Sequence, residues 1–204
     1  MQGMDHSAEI KALEKEALEI ANRLEKLRRE NDPVPVGNYS FETLTGPVDL
    51  LTLFGDKDLL MVIHNMGDGC RWCTSWADGI NASLPHLEEH FAVVLVSKND
   101  PGAQRRFALE RGWNFRMASH AGGEYAVEQT VEPGVPDMPG IACYERKDGR
   151  IFRKNASEFG PGDFFNPLFH VATLAGVGME EFTPQFSYWN RPVKMDDGGQ
   201  DLEA

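Results

Sequence analysis

Basic residues are scarce in this chain. Twenty Lys and Arg stand against 32 Asp and Glu over 204 residues, a formal charge of −12 with histidine neutral. A phosphate backbone or an anionic membrane surface would repel it overall, so nucleic acid and membrane are set aside as partners. Long apolar runs are missing too. The longest, Leu59 to Ile63 and Phe91 to Val96, fall far short of the roughly 20 residues that span a bilayer. The opening Met1-Gln-Gly-Met-Asp-His6 has neither the basic nor the apolar region of a secretory leader, and the expected location is the cytoplasm. Three cysteines cannot build the disulfide framework of a small secreted domain. Two of them are nonetheless concentrated in Cys70-Arg71-Trp72-Cys73, a spacing used at redox centres and at zinc sites.

From Ser7 to Glu30, Ile10, Leu13, Ala17, Ile20, Leu24 and Leu27 recur at intervals of 3 and 4, the heptad seam of one long helix. Asn31 to Gly37 holds two prolines, which stop the helix and begin a linker or extended arm. Tyr39 to Leu44 and Val48 to Phe54 read as a hairpin around Thr45-Gly46-Pro47. Leu59 to Met66 and Phe91 to Ser97 read as buried central strands. A helix is expected from Cys70 to about Glu89, kinked or shortened by Pro85, and another from Pro101 to Arg111. Phe115 to Ala118 is a short strand, and Ala121 to Pro136 is weakly patterned. Gly140 to Glu145 and Arg150 to Arg153 form a hairpin about Asp148-Gly149, and Phe164 to Ala175 is an apolar helix. The resulting class is α/β, a mixed central sheet covered by helices on both faces. The division is 1–36 as helix and linker, 37–182 as the domain and 183–204 as an irregular acidic tail.

A Cys-x-x-Cys at a helix start sets both sulfurs on the first turn, where free backbone N–H groups and the positive end of the helix dipole stabilise a thiolate. Arg71 adds a fixed positive charge. Cys70 is the candidate nucleophile, and Cys73, flanked by Trp72 and Trp76, is the resolving partner. Two other readings stay open: a pair of inert packing thiols, or a zinc site, for which one such knuckle supplies only two of the usual four ligands.

The string Leu53-Phe-Gly-Asp-Lys-Asp-Leu-Leu-Met-Val-Ile-His-Asn-Met66, then Gly69-Cys-Arg-Trp-Cys-Thr-Ser-Trp-Ala-Asp-Gly79 and Arg111-Gly-Trp-Asn-Phe115, resembles the bacterial thioredoxin-like proteins grouped as domain of unknown function 899. These lie near the alkyl hydroperoxide reductase and thiol-specific antioxidant branch, and the likeness runs from about residue 10 to 120. It implies a thioredoxin-like fold and a cis-proline loop facing the cysteines, for which Pro139 is the matching residue and Met138 the one whose backbone meets a substrate. Arg71, Trp72, Met138 and Pro139 are thus the expected substrate contacts. The chain departs from the thioredoxin pattern at His64, where a buried acid is usual, and it lacks the Thr-x-x-Cys of peroxiredoxins.

His64, on the strand leading to the cysteines, is read either as a proton acceptor for Cys73 or as a core residue. Cys143 is read as packing, and His120 beside Gly122-Gly123 carries only a weak signal of a distal ligand like that of copper-delivering relatives, so no metal site is expected. The leading expectation is a thiol-disulfide oxidoreductase requiring neither metal nor nucleotide cofactor, with a protein or small-molecule disulfide as substrate and an unidentified reductant. A thiol peroxidase, or a redox-silent or metal-handling interaction module, is the alternative. A homodimer is expected through the Ser7 to Glu30 helix. A parallel pair would oppose Glu9 to Glu14 and Arg23 to Arg28, whereas an antiparallel pair brings Glu16 near Arg23 twice. Packing of this helix on its own domain is the other possibility.

Overall fold

The computed structural model describes residues 5–186. Alternation of apolar side chains on β4 (Leu59–His64) and β5 (Ala92–Ser97) buries these strands on both sides, and the fold follows from covering them. Leu60, Val62, Val94 and Val96 point to one face, together with Phe41, Leu50 and Tyr125. Ile63, Val93 and Leu95 point to the other, with Trp76, Ile80, Ala108 and Phe169. Helices α3 (Arg71–Glu88), α4 (Pro101–Arg111) and α6 (Pro167–Leu174) cover this second face, while α2 (Leu50–Leu53) and α5 (Glu124–Glu128) lie over the first.

The sheet runs β1-β8-β7-β4-β5-β6-β2-β3. Its centre, β4, β5 and β6 (Arg116–Ser119), is parallel, and β7 (Gly140–Lys147) and β8 (Arg150–Glu158) join it antiparallel. The Asp148-Gly149 turn takes left-handed φ values of 51° and 70° at its two residues, the requirement of a tight hairpin. The expected two-faced mixed sheet is therefore present.

Several local expectations are corrected. The prolines of the expected linker lead into β1 (Val34–Val36), which pairs with β8 through Val34↔Arg153 and Val36↔Ile151. Proline is accommodated because β1 is an edge strand whose outer side needs no ladder donor. The expected strand from Val48 to Phe54 divides into β3 (Gly46–Asp49), paired with β2 (Ser40–Thr43), and α2. Asp49 causes the change by capping: its carboxylate accepts from Thr52 N at 2.8 Å and from Thr52 Oγ1. Pro85 does not end α3, which continues to Glu88. The weakly patterned stretch contains α5, and α6 starts at Pro167 rather than Phe164, behind an Asn166 cap. The expected tail of 183–204 lies mostly outside the described residues.

Asp163 ties α6 to the sheet-facing side of α3. Its carboxylate accepts from Trp76 Nε1 at 2.8 Å, Gly160 N at 2.9 Å, Phe165 N at 2.7 Å and Asn166 N at 3.1 Å. Trp76 in turn stacks against Phe159.

Helix α1 (Ser7–Glu30) has no buried residue. Ile10, Leu13, Ile20 and Leu27 of its seam are exposed, Leu27 to 62%, so its own domain does not cover it. Among the described residues, the base is where it is fastened. Asn155 Nδ2 donates to Arg28 O at 3.0 Å, Asn31 Nδ2 to Lys154 O at 2.8 Å, and Lys154 Nζ to Asn31 O at 2.9 Å.

Two measurements check these contacts. Asp163→Ala strands several donors around Trp76 and is expected to lower unfolding stability by about 2–4 kcal/mol, read from urea denaturation; a loss below 0.5 kcal/mol, roughly the scale of a neutral surface change, rejects the tie. The expectation that a second copy covers the α1 seam requires light scattering to give twice the chain mass for the full protein and the single mass after deletion of residues 1–32. A full-length monomer, or a dimer that survives the deletion, rejects it.

Candidate functional site

Parallel strands send their connections out at their carboxyl ends, where open α/β sheets form their sites. The register pairs His64 with Val96 and Gly140, and Ser97 with Ser119. The loop leaving β4, the ends of β5 and β6, and the Met138-Pro139 approach to β7 therefore share one edge of the sheet.

The loop after His64 carries the cysteines, and two asparagines shape it. Asn65 Oδ1 accepts from Gly67 N at 2.8 Å, and Asn99 Oδ1 accepts from Asp68 N at 3.2 Å. Asn99 Nδ2 donates to the Asp68 carboxylate at 3.0 Å. Gly67 has φ 115°, and a Cβ there would overlap the Asn99 side chain, so both the turn and the close approach require glycine. Cys70 N then donates to Gly67 O at 3.1 Å, completing the entry into α3.

Cys70 is the N-cap of α3. Its Sγ accepts from Cys73 N at 3.0 Å, and Thr74 Oγ1 donates to Cys70 O at 2.9 Å. The sulfur thus occupies the position in which a cap oxygen ordinarily receives a free backbone donor, at the positive end of the helix, where an anion is favoured. No acidic residue lies in the first turn. Cys70 and Cys73 are joined by a disulfide with Cα atoms 5.3 Å apart. Cys70 is half-buried and Cys73 is 3% exposed, so the two sulfurs differ in access as their sequence positions imply.

Among the expected substrate contacts, Arg71 is exposed beside Cys70. Trp72 is half-buried and stacks on Phe169 with ring centroids 5.8 Å apart, so one face of its indole serves packing. Met138 and Pro139 are half-buried at the same sheet edge. The cis bond that the resemblance implied before Pro139 is absent: no cis peptide occurs among the described residues. Asp137 with φ 59° turns the chain, and Phe159 N donates to Pro139 O at 2.8 Å as the strand begins.

His64 follows Leu60 and Val62 to the sheet face opposite α3, and its Nε2 is hydrogen-bonded to the Tyr125 hydroxyl at 2.8 Å. Burial, with the positive charges of Arg153 and His120 adding to it, pulls its pKa down to about 3. The imidazole is therefore neutral at neutral pH, and it heads a buried polar chain. Tyr125 and Tyr144 hydroxyls are 3.1 Å apart, Tyr144 donates to Gln129 Oε1 at 3.3 Å, Gln129 Nε2 donates to Tyr39 at 2.9 Å, and Tyr39 donates to Glu128 at 2.7 Å. Burial raises the pKa values of all three tyrosines, so they remain protonated donors. This places the His64 imidazole among tyrosine hydroxyls.

His120 is buried 3.8 Å from Asp137, which also lies 3.8 Å from Lys98. Burial lowers the His120 pKa, against the opposing pull of Asp137. Among the described residues no three His, Cys, Asp or Glu side chains gather as metal ligands. Cys143 is a free thiol whose pKa burial pushes up to about 11. Sequence reading missed Asn65, Asn99, Tyr125 and Asp163. An Asn-x-Gly turn was the available signal for Asn65, whereas the others act across 31 residues or more.

The sequence model of the family described as "Bacterial protein of unknown function (DUF899)" matches residues 5–194. No curated protein matches the chain. Among solved structures, peroxidoxin BcpB of Mycobacterium tuberculosis is similar with a TM-score of 0.52 at 16% identity, covering 75% of this chain and 98% of its own. A mutant of PrxQ of Xylella fastidiosa is similar with a TM-score of 0.53 at 11% identity, covering 72% and 97%. At these identities the likeness is one of fold, which is thioredoxin-like.

The displaced titration of His64 gives a pH signature. An unfolded chain takes up this proton near the ordinary 6.5 and the folded one only near 3, so between those values the unfolded state binds more protons and stability falls as pH falls. His64→Gln is expected to flatten that decline by up to about 1.4 kcal/mol per pH unit, measured by urea unfolding at pH 4.5 and 7.5. An unchanged slope rejects the buried neutral histidine.

Proposed function

The chain belongs to the bacterial family DUF899, and on that premise we propose that it is a cytoplasmic thiol-disulfide oxidoreductase working through Cys70 and Cys73. The observation that carries this reading is the Cys70 sulfur held as the cap of α3, accepting the Cys73 N–H, with its partner sulfur one turn deeper.

In the reduced protein the Cys70 thiolate attacks one sulfur of a substrate disulfide, forming a mixed disulfide and expelling the other sulfur as a thiolate. Cys73, deprotonated, attacks Cys70 Sγ and releases the second substrate thiolate. The substrate gains two electrons and two protons as two thiols, and the Cys70–Cys73 disulfide is left for a cellular thiol reductant to reset. Arg71 and the helix end favour the Cys70 anion, so that thiolate is the better attacking group at neutral pH. Met138 and Pro139, at the same sheet edge, supply backbone beside the substrate. A thiol peroxidase would use the same Cys70 on a peroxide, with Cys73 condensing on the sulfenic acid to expel water.

Reduced protein is expected to reduce insulin disulfides faster than it consumes hydrogen peroxide. Cys70→Ser should lower the insulin rate by at least roughly a hundredfold, a loss consistent with removal of the nucleophile, and Cys73→Ser should accumulate mixed disulfides. Alkylation near pH 6, read by mass spectrometry, should label Cys70 first and Cys143 last. Peroxide turnover outpacing insulin reduction moves the reading to the peroxidase; dithiol that cycles with neither substrate, or preferential labelling of Cys143, rejects it.

A further inference from the structure

On the sheet face beneath α3, away from the cysteines' end of that helix, lies a partly open cavity of about 260 Å³. Met61, Ile80, Leu87, Ile141 and Phe165 make its walls apolar, and the neutral Cys143 thiol forms part of its surface. One charged side chain lines it, Arg28 from the base of α1.

Arg28 shares with Lys11 and Arg23 of that helix the lack of an ion pair among the described residues, but of the three it alone lines the cavity. Lys15, Lys26 and Arg29 each pair with a glutamate one turn away, whereas among the described residues Arg28 has no carboxylate partner. Its guanidinium lies over the Phe165 ring at 5.8 Å, and its backbone is anchored by Asn155. The other polar lining groups are engaged: Asn155 donates to Arg28 O and accepts from Asn31, and the Ser157 hydroxyl donates to Glu158 O. The guanidinium is thus the charged group left to meet a ligand, lying over the Phe165 ring at the wall of an apolar chamber.

We infer that this cavity binds a medium-chain carboxylate, its hydrocarbon tail among Met61, Ile80, Leu87 and Ile141 and its head group on Arg28. A single cation matches a monoanion, and a guanidinium presents paired donors to the two oxygens of a carboxylate. An alkyl amine would set like charges together, and a neutral alcohol would leave the cation without a counter-charge. The volume sets the length. A partly open chamber of about 260 Å³ has room for a short unbranched tail rather than a long-chain one. This inference is independent of the redox chemistry at Cys70.

Calorimetric titration of the full-length protein with octanoate, octanol and octylamine tests it. Octanoate is expected to bind most tightly and octylamine not at all at the same concentrations. Arg28→Gln should weaken octanoate roughly tenfold or more, in keeping with loss of a charge-assisted pair, leave octanol unchanged and leave the thermal unfolding midpoint in place. Octanoate should also slow maleimide labelling of Cys143, followed by mass spectrometry of its peptide. Absence of octanoate binding at millimolar concentration, equal binding of the amine or the alcohol, undiminished binding by Arg28→Gln, or Cys143 labelling indifferent to octanoate each overturns the proposal.

Discussion

A strand covered on both faces leaves no polar group within reach of bulk water, so whatever polarity it brings inside must be answered by the protein. β4 and β5 are such strands, and their burial organises the rest of the molecule. His64, at the last position of β4, is answered by Tyr125, and each hydroxyl after it by another partner out to Glu128 near the surface. On the opposite face the corresponding polar atom is the indole N–H of Trp76, answered by Asp163. The cysteine pair follows from the same constraint. Where β4 ends, the chain leaves its ladder, and the N–H groups of the loop and of the first turn of α3 need acceptors: Asn65 takes that of Gly67, Asn99 that of Asp68 and the Cys70 sulfur that of Cys73.

Local signals in the sequence were sufficient for elements whose cause is local. The heptad spacing of α1, the apolar runs of β4 and β5, Pro101 behind the Asp100 cap, and the Asp148-Gly149 turn all appear where pattern and turn chemistry place them. The cysteine spacing likewise located the start of α3 to within one residue. Elements created by distant partners were not legible. Residues 34–36 become a strand because β8, more than 100 positions later, offers an edge. The tyrosine chain joins Tyr39 to Gln129 and His64 to Tyr125, and no window of sequence brings those pairs together. At the site, the cysteine pair at the head of α3 was legible, while the asparagines that hold their loop were not, since Asn99 acts from the end of another strand.

Histidine in place of a buried acid changes what the sheet can do beneath the cysteines. A carboxyl with a raised pKa could exchange a proton near neutral pH; an imidazole whose pKa burial has drawn down to about 3 stays neutral across that range.

The attachment of α1 has a mechanical consequence. Twenty-four helical residues at 1.5 Å each form a rod of about 36 Å, fastened among the described residues at Arg28 and Asn31. Such a rod is a lever with its fulcrum at the wall of the apolar cavity. A tilt of about 10° at that end moves the other by about 6 Å over the same length, so the position of the helix tip amplifies small adjustments at its base.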